Sequence, residues 1–162
     1  PYTTLFRSVR HPAIDIVGFD GVSESGQEIY NYCKQEGIDK IANSPNPYDA
    51  IVTDMSMGES TSGLEVLSAA FARDIFAEVI VMTAYGSIET AVEAMKLGVY
   101  DYLEKPLSGP KAVRDLVKGA LARREKMVAE GDETIPAGRT LTFGAPSMKP
   151  AMSRAIRNSS AP

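Results

Sequence analysis

The sequence predicts an α/β fold, in which a parallel sheet carries helices on both faces. Two short runs, Ala50–Asp54 and Glu78–Thr83, are almost continuously apolar and rich in β-branched residues, as strands buried on both faces are. Each run is followed by a helical pattern and then by a further strand candidate. Strands that alternate with helices in this way pack as a parallel sheet.

The other elements follow from the spacing of apolar residues. The predicted strands are residues 13–19, 50–54, 78–83 and 100–103. A helix is predicted from residue 23 or 25 to about 41, before a turn at residues 44–47. Three later helices are predicted from apolar residues at helical spacing: Leu64, Leu67 and Phe71; Ile88, Ala91 and Met95, ended by Gly98; and Val113, Leu116, Val117, Ala120 and Leu121.

Composition excludes several classes of protein. The 162 residues are 44% hydrophobic and 23% charged, as in soluble globular domains. A net charge of −4 offers no basic surface for nucleic acid or anionic membranes. The single cysteine, Cys33, excludes an internal disulfide and suits a reducing compartment, and no apolar run approaches the ~20 residues that span a bilayer. We therefore expect a cytoplasmic location without membrane attachment.

The first residues differ from the rest of the chain. Residues 1–8 (PYTTLFRS) show no periodic pattern and resemble the in-frame translation of a widely used sequencing-adapter oligonucleotide. Segments of this kind are excluded when a fold is deduced. A natural strand or turn is the alternative interpretation, but we leave residues 1–8 out of the fold prediction as an artefact and expect the chain to be a fragment of a longer protein.

Three polar residues with complementary chemistry follow the predicted strands. Asp54, Thr83 and Lys105 stand at successive strand ends, and function in parallel sheets is located at the carboxyl edge. A carboxylate there can attack phosphorus to form an acyl phosphate, a hydroxyl can bind a phosphoryl oxygen, and a fixed cation can pair with the product. Ser56 would direct a backbone carbonyl towards a Mg²⁺ ion, which prefers oxygen ligands.

Two segments carry a family resemblance: YDAIVTDMSMG and VIVMTAYGSIETAVEAMKLGVYDYLEKP. They resemble the receiver domain of bacterial two-component response regulators, and the second is most similar to the NtrC type. The resemblance covers roughly residues 13–130. It implies the CheY-like (flavodoxin-like) doubly wound sheet, with Asp54 as the acceptor of phosphate from a sensor histidine kinase. It also implies that Ser56 lends its carbonyl to Mg²⁺ and that Thr83 and Lys105 contact the phosphoryl group.

The resemblance assigns roles to two further residues. Tyr102 matches the aromatic residue that moves inward when Thr83 is drawn towards phosphate, although it is alternatively a half-buried strand residue. Pro106 matches a position where the peptide bond is usually cis, a geometry accessible only because proline follows. Alternatively, Pro106 starts a helix in the trans form.

The sequence departs from the family on both sides of Asp54. Gly58 replaces a usual proline, the loop over residues 57–63 is one residue longer, and no adjacent acidic pair precedes Asp54. Family members hold Mg²⁺ with such a pair at the end of the first strand. Residues 13–19 are either that strand, with Asp20 as a remnant of the pair, or the second strand, and we favour the second.

This alignment has physical consequences. The chain then lacks the first strand and helix of a sheet ordered 2-1-3-4-5, so the neighbouring strands lose backbone partners. We therefore expect low stability, weak Mg²⁺ binding and inefficient phosphorylation of this chain.

The end of the chain resembles the start of the AAA+ ATPase domain of NtrC-type, sigma-54 dependent activators. This part is LTFGAPSMKPAMSRAIRNSSAP, and since no G-x-x-x-x-G-K-[ST] motif occurs, ATP hydrolysis is not assigned to this chain. The resemblance implies that contacts with sigma-54 RNA polymerase and DNA belong to domains absent here. We expect an artefact at 1–8, a truncated receiver at 9–130, a linker at 131–140 and a truncated ATPase domain at 141–162.

Alternatives remain for the last helix and for the function. The apolar residues from Val113 to Leu121, continuing towards Met127, either only pack on the sheet or also begin a helix that dimerises the parent protein. A haloacid dehalogenase-type phosphatase would need an aspartate where Ser56 stands, so it is disfavoured. A phosphate-independent pseudo-receiver that acts as an interaction module is the alternative function.

Overall fold

The computed structural model describes residues 3–6, 14–17, 26–55, 62–83, 88–131 and 135–139. These ranges contain five strands, and four helices that are each at least eight residues long. In chain order they are β1 (Thr3–Phe6), β2 (Ile14–Val17), α1 (Gly26–Asn43), β3 (Ala50–Asp54), α2 (Ser62–Arg73), β4 (Glu78–Thr83), α3 (Ile88–Lys96), β5 (Asp101–Glu104) and α4 (Pro110–Glu130).

The predicted parallel α/β arrangement is confirmed over β3, β4 and β5. The sheet has the order β2-β1-β3-β4-β5, and β4 pairs in parallel with β3 and with β5. The bounds of β3 and β4 agree with the prediction to the residue, and every residue of both strands is buried. β5 begins one residue later than predicted.

Residues 3–6, which the fold prediction left out, form β1 and are part of the sheet, and the interpretation of residues 1–8 as an artefact stays a prediction. β1 pairs antiparallel with β3, placing Phe6 opposite Ala50, and antiparallel with β2, placing Phe6 opposite Ile14. The edge of β3 carries backbone donors and acceptors that an extended segment of either direction can satisfy. β3 therefore has backbone pairing with β1 along this edge, where we expected it to lack hydrogen-bond partners. The outer position of β2 agrees with the alignment of residues 13–19 with the second strand of the family.

Side chains alternate between two hydrophobic clusters on opposite faces of the sheet. Ile51, Val79 and Val81 point to one face, where they pack with residues of α1, α2 and α3. Ile80 and Met82 point to the other face and pack with Val117, Ala120 and their neighbours on α4. Among the described residues, α4 is thus the one helix of eight residues or more that covers this second face.

The last two helices refine the predictions. α4 packs its predicted apolar residues against the sheet. The alternative that α4 also begins a helix that dimerises the parent protein stays a prediction. α3 buries Ala91 and Ala94, whereas Met95, predicted on the apolar stripe, is exposed. Gly98 follows α3 with a φ of 87°, as the left-handed end of a helix requires. Among the described residues, none of the helices is both long and apolar enough to cross a bilayer.

Candidate functional site

The structure brings Asp54, Thr83 and Lys105 to one edge of the sheet. Asp54 ends β3, Thr83 ends β4, and Lys105 directly follows β5. The backbone N–H of Lys105 donates to the carbonyl oxygen of Thr83 at 2.9 Å, which holds the ends of the two strands together. The predicted convergence of these residues at the carboxyl edge is therefore present.

Asp54 is a buried carboxylate with a cationic partner. The residue is 4% exposed, and the Nζ atom of Lys105 donates to Asp54 Oδ2. The Lys105 side chain remains 40% exposed, so its stem reaches the carboxylate from the surface. A buried charge needs such a partner, because desolvation of a lone carboxylate is costly. The cation that the chemistry requires therefore already lies against the candidate nucleophile.

Local sequence explains how Asp54 is held in place. Gly63, the second residue of α2, donates its N–H to the carbonyl oxygen of Met55 at 3.0 Å. A Cβ atom at this position would lie 2.7 Å from Met55 Cα and from its carbonyl oxygen. Glycine thus allows α2 to begin directly against the residue that follows Asp54.

Thr83 and Tyr102 lie on neighbouring strands at this edge. Thr83 is buried. Tyr102 pairs with Val81, which precedes Thr83 by two residues in β4, and Tyr102 is 45% exposed. This exposure is that of an outward-facing aromatic side chain, and the switch role of Tyr102 stays a prediction. The Lys105–Pro106 peptide bond is cis, as the resemblance implied, so Pro106 does not start a helix in the trans form.

The described residues do not provide a good Mg²⁺ site. No group of three His, Cys, Asp or Glu side chains that could hold a metal occurs in the part of the chain that the structure describes. Ser56, Gly58 and Asp20 lie outside the described residues. Mg²⁺ binds best to several hard oxygen ligands in octahedral geometry, and Asp54 alone supplies one carboxylate. The donor set found here therefore fits the ion poorly.

A second charged cluster lies at the opposite edge of the sheet. Glu78, the first residue of β4, is fully buried and pairs with Arg123 of α4 and with Arg139. The sequence reasoning missed this cluster and treated residues 131–140 as a linker. The available signal was Glu78 itself, because a charged residue that opens a fully buried strand requires a buried partner.

Comparison with known proteins agrees with the geometry. Residues 21–118 match the family described as the response regulator receiver domain. The transcriptional regulatory protein FixJ of Azorhizobium caulinodans is 39% identical over 100 residues, covering 62% of this chain and 46% of FixJ. The transcriptional regulatory protein ZraR of Escherichia coli is 39% identical over 105 residues, covering 65% of this chain and 22% of ZraR.

A solved structure gives the same result for the fold. The crystal structure of a response regulator receiver domain protein from Clostridium thermocellum superposes with a TM-score of 0.52 at 26% identity, covering 58% of this chain and 73% of that one. The chain therefore spans most of a receiver domain, but less than half the length of these two curated relatives.

Proposed function

The chain belongs to the response regulator receiver domain family, and on this premise we propose that Asp54 is its phosphoryl-accepting residue. The observation that carries the proposal is the buried Asp54 carboxylate at the end of β3, in contact with Lys105. The receiver of a two-component response regulator takes a phosphoryl group from a histidine kinase and is not an enzyme by itself.

The residues at the carboxyl edge account for the transfer step. A carboxylate oxygen of Asp54 attacks the phosphorus of a phosphohistidine, the P–N bond breaks as the O–P bond forms, and the histidine nitrogen leaves with the bonding electrons. The product is an aspartyl phosphate. Lys105, released from the carboxylate, then pairs with a phosphoryl oxygen, and the Thr83 hydroxyl donates to another.

Movement of Thr83 towards the phosphoryl group would convert the modification into a structural change. Tyr102, exposed on β5, would then turn inward into space near Thr83. Both residues lie on adjoining parallel strands, so a displacement at the end of β4 reaches β5 directly.

We propose that phosphorylation of this chain is inefficient because its cation site is incomplete. Mg²⁺ would offset the charge that develops on the transferring phosphoryl group when bound. Among the described residues no group of three possible metal ligands occurs, and the sequence contains no adjacent acidic pair before Asp54. Lys105 is then the main described group that neutralises the site.

The parent protein is proposed to be an NtrC-type, sigma-54 dependent transcriptional activator in the cytoplasm. The family resemblance of the second motif and of residues 141–162 supports this proposal, although the latter lie outside the described residues. A sensor histidine kinase would be the direct partner of the receiver, and a homodimer the parent's state. Sigma-54 RNA polymerase and DNA would be contacted through an AAA+ ATPase domain and a DNA-binding domain elsewhere in the parent.

Incubation of the purified chain with acetyl phosphate tests the proposal. We expect labelling that rises with Mg²⁺ concentration, stays below one phosphate per chain, and disappears in Asp54→Asn. Asp39→Asn, which removes an exposed carboxylate of α1, is the matched control and should label like the parent sequence. Labelling that survives Asp54→Asn would exclude Asp54 as the acceptor. Stoichiometric labelling at low Mg²⁺ would contradict the incomplete cation site, and absence of labelling would favour the pseudo-receiver.

A further inference from the structure

Arg139 is a fully buried guanidinium, and the groups around it occupy most of its donors. Nε donates to the carbonyl oxygen of Gly98 at 2.7 Å, Nη1 to that of Ile75 at 3.0 Å, and Nη2 to Glu78 Oε2 at 2.5 Å. Its guanidinium carbon lies 4.5 Å from the centre of the Phe71 ring. Burial lowers the pKa of Arg139 from its ordinary value, and the charge of Glu78 opposes this change.

The carboxylate of Glu78 joins Arg139 to the last helix. Arg123 of α4 donates to both carboxylate oxygens, with Nε at 2.5 Å from Oε1 and Nη2 at 2.5 Å from Oε2. The guanidinium carbon of Arg123 in turn lies 4.7 Å from the centre of the Tyr100 ring. Planar, bidentate pairs of this kind are geometrically specific. Arg123 therefore fixes the orientation of the Glu78 carboxylate, which accepts one further hydrogen bond from Arg139, a residue beyond α4.

Two glycines make room for this segment. A Cβ atom on Gly138 would lie 1.9 Å from the carbonyl oxygen of Lys96, and one on Gly98 would lie 2.7 Å from Arg139 Cγ. Ile135, four residues before Arg139, is buried in the same cluster as Phe71. Side chains at both ends of residues 135–139 are thus inserted into the receiver, and the backbone between them touches the end of α3.

We propose that residues 135–139 are an intramolecular latch, which fastens the chain beyond α4 to the edge of the sheet opposite Asp54. α4 ends at Glu130, and the N–H of Gly131, which has a φ of 85°, donates to the carbonyl oxygen of Met127 at 2.9 Å. While Arg139 is seated, the chain returns to β4 instead of continuing along the helix axis. The closed latch therefore fixes where the next part of the protein leaves the receiver.

The latch is a device separate from phosphorylation, because none of the contacts it makes within the described part of the chain involves the carboxyl edge. Its partners are the first residue of β4, the turn after α2, the end of α3 and, through Glu78, α4. Opening it would break the buried Glu78–Arg139 pair and release α4 from the returning segment. The receiver core would keep the Glu78–Arg123 pair.

Hydrogen–deuterium exchange on the full chain tests this inference. In the parent sequence the Arg139 amide should be protected, since its N–H donates to the carbonyl oxygen of Pro136 at 2.9 Å, and the amides of residues 135, 137 and 138 should be protected while the segment is packed. In Arg139→Gln we expect these amides to exchange about tenfold faster or more, while residues 79–81 of β4 stay protected. Arg114→Gln, which removes an exposed arginine of α4, is the matched control and should change neither segment.

Gly138→Ala provides a second test that leaves every charge in place. Its methyl group cannot coexist with the carbonyl oxygen of Lys96 in the closed latch, whereas an unattached linker would tolerate alanine freely. We expect the same selective increase in exchange over residues 135–139. Unchanged exchange in Gly138→Ala, or residues 135–139 exchanging in the parent as fast as an unfolded peptide, would overturn the latch.

Discussion

The two edges of the sheet hold buried carboxylates in opposite ways. At the carboxyl edge, Asp54 is paired with Lys105, whose side chain is 40% exposed and able to leave. At the amino edge, Glu78 is fully buried and pairs with two guanidiniums, one of them fully buried. The difference supports the proposal that Asp54 exchanges its lysine partner when it accepts a phosphoryl group, whereas Glu78 is enclosed by two guanidiniums in the packing of the receiver and the latch.

Removal of Glu78 should produce the largest loss of stability. Glu78→Ala leaves Arg139 buried without its counter-ion, and breaking a buried ion pair costs about 3–5 kcal/mol. Urea unfolding of Glu78→Ala and of Glu93→Ala, which removes an exposed glutamate of α3, measures the difference. If Glu78→Ala lost no more free energy of unfolding than Glu93→Ala, Glu78 would not be a structural ion-pair partner, and the proposed difference between the two edges would be wrong.

Neutralisation of Asp54 should have a much smaller effect on stability. Asp54→Asn removes a desolvated charge that has a partly exposed partner, so we expect a change within about 1 kcal/mol in urea unfolding. The same substitution should abolish phosphorylation. A destabilisation as large as that of Glu78→Ala would assign Asp54 a structural role instead.

The two edges also differ in how far the sequence predicts them. β3 and β4 were predicted to the residue because a strand buried on both faces must be apolar along its whole length. Asp54, Thr83 and Lys105 were predicted to meet because parallel strands bring their carboxyl ends to one edge. Such local patterns need no knowledge of distant contacts.

Other features depend on contacts between distant residues, and sequence reasoning missed them. Arg139 lies in a polar stretch typical of a linker, and its partners Gly98, Ile75 and Glu78 are 41 to 64 residues away in the chain. β1 was missed because residues 3–6 carry no distinctive pattern, and their pairing is dictated by the edge that β3 offers. The role of Ser56 and the length of the loop after Asp54 stay predictions.

Removal of Lys105 should have the smallest effect on stability and a clear effect on function. Lys105→Ala removes a side chain that is 40% exposed, so water takes its place beside the Asp54 carboxylate and offsets most of the lost ion pair, and we expect a loss of about 1 kcal/mol or less in urea unfolding. Its rate of labelling by acetyl phosphate should fall, because the remaining described groups do not neutralise the phosphoryl charge. Lys111→Ala, at an exposed position on α4, should label at the parent rate. Equal rates for the two variants would exclude Lys105 from the site.

The proposed role of Asp54 requires that it carries the phosphoryl group as an acyl phosphate. Borohydride reduces an aspartyl phosphate to homoserine, so peptide mass spectrometry of the chain after acetyl phosphate and borohydride treatment locates the modified residue. We predict homoserine at position 54 and at no other acidic position. Homoserine at another residue, with Asp54 unmodified in the same sample, would exclude Asp54 as the phosphoryl-accepting residue.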